Sequence, residues 1–241
     1  MSEPELSLVI PAYNEEARLG ATLQRLRGWL QAPRPPAEIL VVDDGSADRT
    51  VAIARAALEG TRGSVLTGEP NRGKGYAVRR GVLAATGRTV LITDADLSTP
   101  IEEHDKLAAA MLAHGLHVAI GSRALYGSQG QNPLRQLMGK TFNRIMRGMT
   151  GLPFQDTQCG FKLLDRAATR PIVERMVVDR FAFDVEFLYL CRQASLRVEE
   201  VPVVWRNAPG SKVSLMGDPA NMLWDVAKLR WRHRRGSPGA P

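Results

Sequence analysis

Short apolar runs rich in β-branched residues alternate along this chain with stretches of helical period. LSLVI (6–10), ILVV (39–42), TVLIT (89–93) and HVAIGS (117–122) are almost uninterrupted apolar runs. Such runs suit strands buried on both faces of a sheet. Between them the pattern predicts helices over 15–30, 47–59, 76–85 and 100–114. For the last, Thr99 reads as the cap, Pro100 as the first helical residue and Glu102 as the partner completing a capping box. A weaker strand is expected at 198–204. This alternation predicts an α/β fold on a largely parallel sheet flanked by helices. No internal repeat is visible, and the one low-complexity stretch is the terminal GSPGAP.

Length and charge narrow the picture. A chain of 241 residues makes one domain, or one domain with an appendage. At that size it can fold without disulfide or metal staples. The net charge of +7 is unevenly placed. Residues 121–150 hold Arg123, Arg135, Lys140, Arg144 and Arg147 with no acid; residues 226–241 hold Lys228, Arg230, Arg232, Arg234 and Arg235, again with none. Anion attraction therefore belongs to two segments and not to the whole surface. Two cysteines, Cys159 and Cys191, exclude a disulfide scaffold and a four-cysteine zinc site, and read as buried thiols in a reducing compartment. No apolar run approaches 18 residues, and the polar start MSEPELS does not read as a signal peptide. The expectation is a protein that does not span a membrane and lies in the cytoplasm or on a membrane's cytoplasmic face.

In open α/β sheets, ligands sit beyond the carboxyl ends of the strands. Here those ends read PAYNEE (11–16), DDGS (43–46) and DADLS (94–98), three acid-rich loops aimed at one crevice. Asp94 and Asp96, two apart in an extended segment, can turn both carboxylates to one point. Mg²⁺ takes one or two carboxylates plus substrate phosphates, so this pair is a candidate metal site. Solvated turn residues are the plainer reading, but the apolar strand before the pair and the helix after it favour the metal. Asp43, Asp44 and Gly45 can be simple turn residues, or a carboxylate there can accept from a base N–H or a ribose hydroxyl. Tyr13 offers a flat face to a base, while Asn14 and Glu15 are equally ordinary helix-start residues. NRGKG (71–75) is neither a P-loop nor a GxGxxG turn; Lys74 between two glycines can approach an anion, or the stretch is a plain turn.

PAYNEE, VVDDGS, NRGKG, DADLS and GSR (121–123), in this order and spacing, resemble inverting glycosyltransferases of family 2, which have the GT-A fold. Downstream, DTQCGFKLL (156–164), RFAFDVEFLYL (180–190), EVPVVW (200–205) and GSK (210–212) are similar to the polyprenyl-phosphate branch, most of all the dolichyl-phosphate β-glucosyltransferases. The resemblance implies a single-domain, Rossmann-like GT-A fold with a nucleotide-sugar half at 1–125, an acceptor half at 126–217 and a C-terminal basic helix and tail at 218–241. It implies that Pro11, Tyr13, Asn14, Glu15, Asp43, Asp44 and Gly45 hold the nucleoside, and that Lys74, Asp94, Arg123 and Lys212 lie near the sugar and phosphates. Asp94 and Asp96 would bind Mg²⁺ or Mn²⁺, Asp96 and Asp156 would be catalytic, and Arg135, Lys140 and Lys162 would meet the acceptor. Relatives often carry transmembrane helices, and no such run occurs in this chain.

The implied reaction moves a hexose, glucose first, from a UDP-sugar to a polyprenyl or dolichyl phosphate at the cytoplasmic face of a membrane. Use of GDP-mannose or of a soluble acceptor is the alternative within the class. An ionised phosphate acceptor needs no strong general base; placing two anions in line is the harder task, and it calls for arginines and lysines. Asp184 and Glu186 read as carboxylates that position acceptor or sugar, or anchor Arg180. In 134–149 the apolar Leu134, Leu137, Met138, Phe142, Ile145, Met146 and Met149 gather on one helical side and Lys140, Arg144 and Arg147 on the other. That stripe suits a helix lying in a membrane interface, or one facing the protein's own core. The second segment, 221–231 with Trp224 and Trp231, reads equally as interfacial or as core packing with a solvated tail. A non-catalytic basic module for lipid or nucleic acid is the reading from another class. No nucleic-acid-binding motif accompanies the basic segments, and the acidic loops would repel a polyanion, so nucleic acid is not an expected partner.

Overall fold

The computed structural model describes residues 3–126, 144, 147–206, 226, 229 and 233. Arg135, Lys140 and Lys212, most of the 134–149 stripe and most of 221–231 lie outside the described residues.

Among the described residues seven strands form one sheet: β1 (Leu6–Ala12), β2 (Ala37–Asp43), β3 (Gly63–Leu66), β4 (Thr89–Ile92), β5 (Val118–Ser122), β6 (Lys162–Asp165) and β7 (Val198–Pro202). Their spatial order is β3-β2-β1-β4-β6-β5-β7. β6 is antiparallel to both its neighbours, and every other pairing is parallel. The apolar runs of β1 and β2 are buried because both faces are covered. Ser7 interrupts the β1 run, and its hydroxyl donates to Glu38 at 2.6 Å and accepts from the Gly87 N–H at 2.9 Å, so its burial leaves no polar group unmet.

One face packs against α1 (Leu19–Leu30), α2 (Thr50–Leu58) and α4 (His104–His114) through Leu19, Leu23, Leu26, Leu58 and Leu107. The other packs against α3 (Lys74–Ala84), α6 (Arg166–Arg175) and α7 (Phe183–Gln193) through Val78, Val82, Ile172, Val173 and Leu188. A four-residue α5 (Arg123–Tyr126) follows β5. This is a single α/β domain with a mostly parallel sheet between helical layers. β6, drawn from the 126–217 stretch, sits between β4 and β5, so the two expected halves share one sheet.

Helix starts differ from expectation. The 100–114 helix opens as a 3-10 turn at Ile101–Glu103, and Pro100 is extended with ψ 141°. Thr99 makes no cap bond, and the Glu102 carboxylate is drawn away to Arg25 on α1 at 3.1 Å, which undoes the capping box. α1 begins at Leu19 and not at Glu15, because residues 13–18 are used as a loop. Within the stripe at 134–149, Arg144 and Arg147 are exposed, while Met149 packs on the core. Val226 and Leu229 are buried in the same core, so at these positions the C-terminal segment packs inward.

Candidate active site

The carboxyl ends of the parallel strands and the amino end of β6 open at one edge of the sheet. Each chain end there delivers charged side chains. Beyond β1, Tyr13 is 40% exposed. Asn14 adopts the left-handed region at φ 52°; its N–H donates to Ser46 Oγ at 2.8 Å and its Oδ1 accepts from Ala47 N–H at 2.8 Å. Asn14 thus ties the first loop to the second. The Glu15 N–H donates to Thr50 Oγ1 at 2.7 Å, and its carboxylate pairs with Arg18.

Beyond β2, Asp43 Oδ2 accepts from the Gly45 and Ser46 N–H groups, both at 3.1 Å, with Gly45 at φ 80°. Its Oδ1 is buried and meets no donor among the described residues. Asp44 draws in the next loop: it accepts from Asn71 Nδ2 at 2.8 Å, Arg72 N–H at 3.1 Å and Gly73 N–H at 2.6 Å. Burial pushes its pKa up, against the pull of those backbone donors. Gly73 stands at φ 121°, and a Cβ there would come within 2.6 Å of the Asp179 carbonyl, so this turn requires glycine.

The turn sets Lys74 at the first residue of α3, where its ammonium meets Asp94 Oδ1 at 2.6 Å. Burial opposes the charge of both groups. Even so, Asp94 and Asp184 keep Lys74 above the usual lysine range, and Lys74, Lys162 and Arg123 hold Asp94 below the usual carboxylate range. Gly160 lies against the same carboxylate: a Cβ there would be 2.4 Å from Asp94 Oδ2. Asp96 Oδ1 accepts from Ser98 N–H at 2.9 Å, and its Oδ2 has Arg18 at 3.6 Å, outside hydrogen-bond range.

On the other side, Arg123 and Asp156 form a two-pronged pair, Nε to Oδ2 at 2.7 Å and Nη2 to Oδ1 at 2.8 Å, with the Arg123 N–H donating to Oδ2 at 3.0 Å. Burial disfavours both charges, but each outweighs that for the other: Asp156 is held low and Arg123 high. Arg123 also sits 6.0 Å from the Trp205 ring centroid. Glu200 holds the loop from below, accepting from Ser122 Oγ at 3.0 Å, Gln155 N–H at 2.8 Å and Asp156 N–H at 2.7 Å. Lys162 is 1% exposed, its ammonium on Asp184 at 2.5 Å and on the Cys159 carbonyl. The Arg206 N–H donates to the Ser98 carbonyl at 2.7 Å, which ties the chain after β7 to the DADLS loop.

The structure thus joins Lys74, Asp94, Asp96, Arg123 and Asp156 at one edge of the sheet, and places Asn14, Asp43 and Asp44 in the turns that shape it. Sequence reasoning missed Arg18, Gly160 and Glu200. EVPVVW is legible as a motif, but nothing in it shows that Glu200 accepts from the loop 44 residues away. Glu186 is fully buried and accepts from the Val177 and Val178 N–H groups, with His233 at 2.8 Å.

The ion pairs Lys74–Asp94 and Arg123–Asp156 and the turn built around Asp44 thus meet at the strand ends. The class is that of glycosyltransferases. The model of glycosyl transferase family 2 matches residues 7–172, and the chain belongs to that family: it is a glycosyltransferase. It is similar to the dolichyl-phosphate β-glucosyltransferase of Drosophila melanogaster, 38% identical over 91% of this chain and 74% of that one. The Homo sapiens and Saccharomyces cerevisiae enzymes of the same name are each 32% identical, over 97% and 96% of this chain and 77% and 75% of theirs. Among solved structures it is similar to mannosyl-3-phosphoglycerate synthase from Rubrobacter xylanophilus, at TM-score 0.73 and 20% identity over 99% of this chain and 79% of that one. Glucosyl-3-phosphoglycerate synthase from Mycobacterium tuberculosis, solved with Mn²⁺, UDP-glucose and phosphoglyceric acid, superposes at TM-score 0.67 and 20% identity over 98% and 82%. These structural likenesses establish the GT-A fold.

Proposed function

We propose that the protein transfers glucose from UDP-glucose to a polyprenyl or dolichyl phosphate, with inversion at the anomeric carbon. The observation that carries this reading is the pairing of two sets of charges at one sheet edge: Lys74 with Asp94 beside Asp96, and Arg123 with Asp156. It is supported by 32–38% identity to dolichyl-phosphate β-glucosyltransferases over more than nine-tenths of the chain. In this reading residues 1–125 serve the donor, 126–217 the acceptor, and the basic segments lie at the cytoplasmic face of a membrane. Among the described residues no helix is long and apolar enough to cross one.

The residues present fit a divalent cation. No group of three or more potential ligands occurs among the described residues, but Mg²⁺ and Mn²⁺ accept two carboxylates completed by substrate phosphates. Asp94 and Asp96 would hold the ion, the Asp96 Oδ2 facing Arg18 across 3.6 Å. When bound, such an ion neutralises charge on a diphosphate leaving group.

The chain's own groups do the rest. The Asp43–Gly45 turn and Tyr13, with Pro11, Asn14 and Glu15, receive the nucleoside, and the buried Asp43 Oδ1 supplies an acceptor with no partner among the described residues. Lys74 stands where it can pass from Asp94 to a donor phosphate, with Lys212 closing from the other side. Arg123, oriented by Asp156, presents a fixed guanidinium to the donor's sugar and phosphates, while Arg135 and Lys140 meet the acceptor phosphate. An acceptor phosphate oxygen bonds to C1 on the face opposite the departing UDP, and the electron pair of the broken C1–O bond leaves on the diphosphate. The oxygen is already ionised, so Asp156 need not take a proton. Its place on Arg123 and its low pKa suit it to orientation.

Purified protein with labelled UDP-glucose, polyprenyl phosphate and Mn²⁺ is expected to move label into the organic phase, and EDTA to stop it. Label moving only from GDP-mannose, or only to a water-soluble phosphate, would replace this reading with the corresponding alternative.

A further inference from the structure

Lys162 and Asp184 form an ion pair 2.5 Å long with side chains 1% and 7% exposed. Burying two charges is costly, and apolar residues of similar volume often serve stability as well or better. A pair in this position therefore calls for a reason beyond stability. Lys162 is the first residue of β6, flanked by Ile92 on β4 and Ile120 on β5, so its stem is fixed from both sides. Its ammonium does two things at once: it meets Asp184 in the first turn of α7, where the helix N-terminus favours a carboxylate, and it grips the Cys159 carbonyl. Cys159 belongs to the loop 156–160, which carries Asp156 at one end and Gly160 at the other. Asp156 orients Arg123, and the Gly160 backbone rests on the Asp94 carboxylate. One buried ammonium thus holds the strip of chain that touches both sides of the crevice.

We propose that Lys162 and Asp184 are positioning residues: the pair fixes the 156–160 loop, and thereby sets Arg123–Asp156 against Asp94 for transfer. Lys162 reaches the acceptor through the loop it holds and not by contact. Lys162 charge is felt by both Asp94 and Asp156, which agrees with a place between them. Burial raises Asp184 even beside Lys162 and Lys74, so keeping its carboxylate ionised costs the fold stability.

The test separates position from stability. Asp184→Asn leaves an ammonium buried without its counter-charge and is expected to lower the melting temperature and the turnover together. The double variant Lys162→Met/Asp184→Val removes both charges and is expected to melt near the wild type. If the pair positions the loop, the double variant still loses kcat by roughly 10–100-fold, as small displacements of reacting groups do. UDP affinity should change little, and amides of a peptide covering 154–161 should exchange faster with deuterium. Recovery of kcat along with melting temperature, or unchanged exchange in that peptide, would overturn the proposal. The turnover arm rests on the glucosyl-transfer reading and the exchange arm does not, so wild-type protein that fails to transfer glucose would sink that reading while exchange still decides this one.

Discussion

Asp44 and Asp156 stand at the same edge of the sheet and are held in different ways. Asp44 takes two backbone N–H groups and one amide from a loop that curls round it. Asp156 takes a guanidinium from a residue 33 positions away, and Asp184 an ammonium 22 away. The β1–β4 side is shaped mainly by turns, whose donors at Asp44 are two backbone N–H groups and the uncharged Asn71 amide; the Lys74–Asp94 pair is its charged exception. The β5–β7 side is shaped by charge pairs, in which removing one partner strands the other. Changes on the first side should therefore cost turnover and leave folding alone, whereas changes on the second should cost both.

The largest expected effect breaks this contrast if it fails. Asp96→Ala should lower turnover on the order of 10³-fold by removing several kcal/mol of charge stabilisation, with a melting temperature within a few degrees of wild type, since its partners are one N–H and a distant arginine. Steady-state transfer and calorimetry on one preparation check this. Next, Asp156→Ala leaves Arg123 without its buried counter-charge and should cost about 3 kcal/mol in urea unfolding as well as activity. Gly160→Ala sharpens the contrast where the sides touch. Its Cβ would intrude on Asp94, and turnover should fall roughly 10–100-fold with a smaller loss of stability.

The pH dependence follows from Asp156, whose pKa is held low by Arg123 against burial. A carboxyl whose folded pKa lies below its unfolded value stabilises the fold at every pH above the unfolded value, about 4, and loses that contribution as pH falls through the folded one. Urea midpoints should therefore drop as pH falls below about 4, and Asp156→Asn should lack that part of the drop. The smallest effect is expected at Arg25→Ala, which removes an exposed pair with Glu102 and should change stability by less than about 0.5 kcal/mol.

The same contrast explains what could be read from the sequence. β1, β2, β4 and β5 announce themselves because strands covered on both faces must be apolar throughout, and their loops carry turn residues in short, recognisable words. β3 is a four-residue edge strand, half exposed. β6 is four residues beginning with a lysine, and its place between β4 and β5 is a matter of topology that no local pattern records. α7 buries eight of its eleven residues, the acids Asp184 and Glu186 among them, so its buried face is not a plain apolar stripe, and α6 carries Pro171 in its interior. Lys74, Asp94, Asp96, Arg123 and Asp156 were legible as residues, from their motifs. Their partners were not, because a pair such as Lys162 with Asp184 or Glu200 with the Asp156 N–H is made by the fold across tens of residues.

The central claim is inverting transfer of glucose to a lipid phosphate, and the configuration of the product tests it most directly. Proton NMR of the organic-phase product formed from UDP-α-glucose is predicted to show a β-linked glucosyl phosphate, with the large H1–H2 coupling of a trans-diaxial pair. An α-linked product, or glucose released without a phosphate partner, would contradict it.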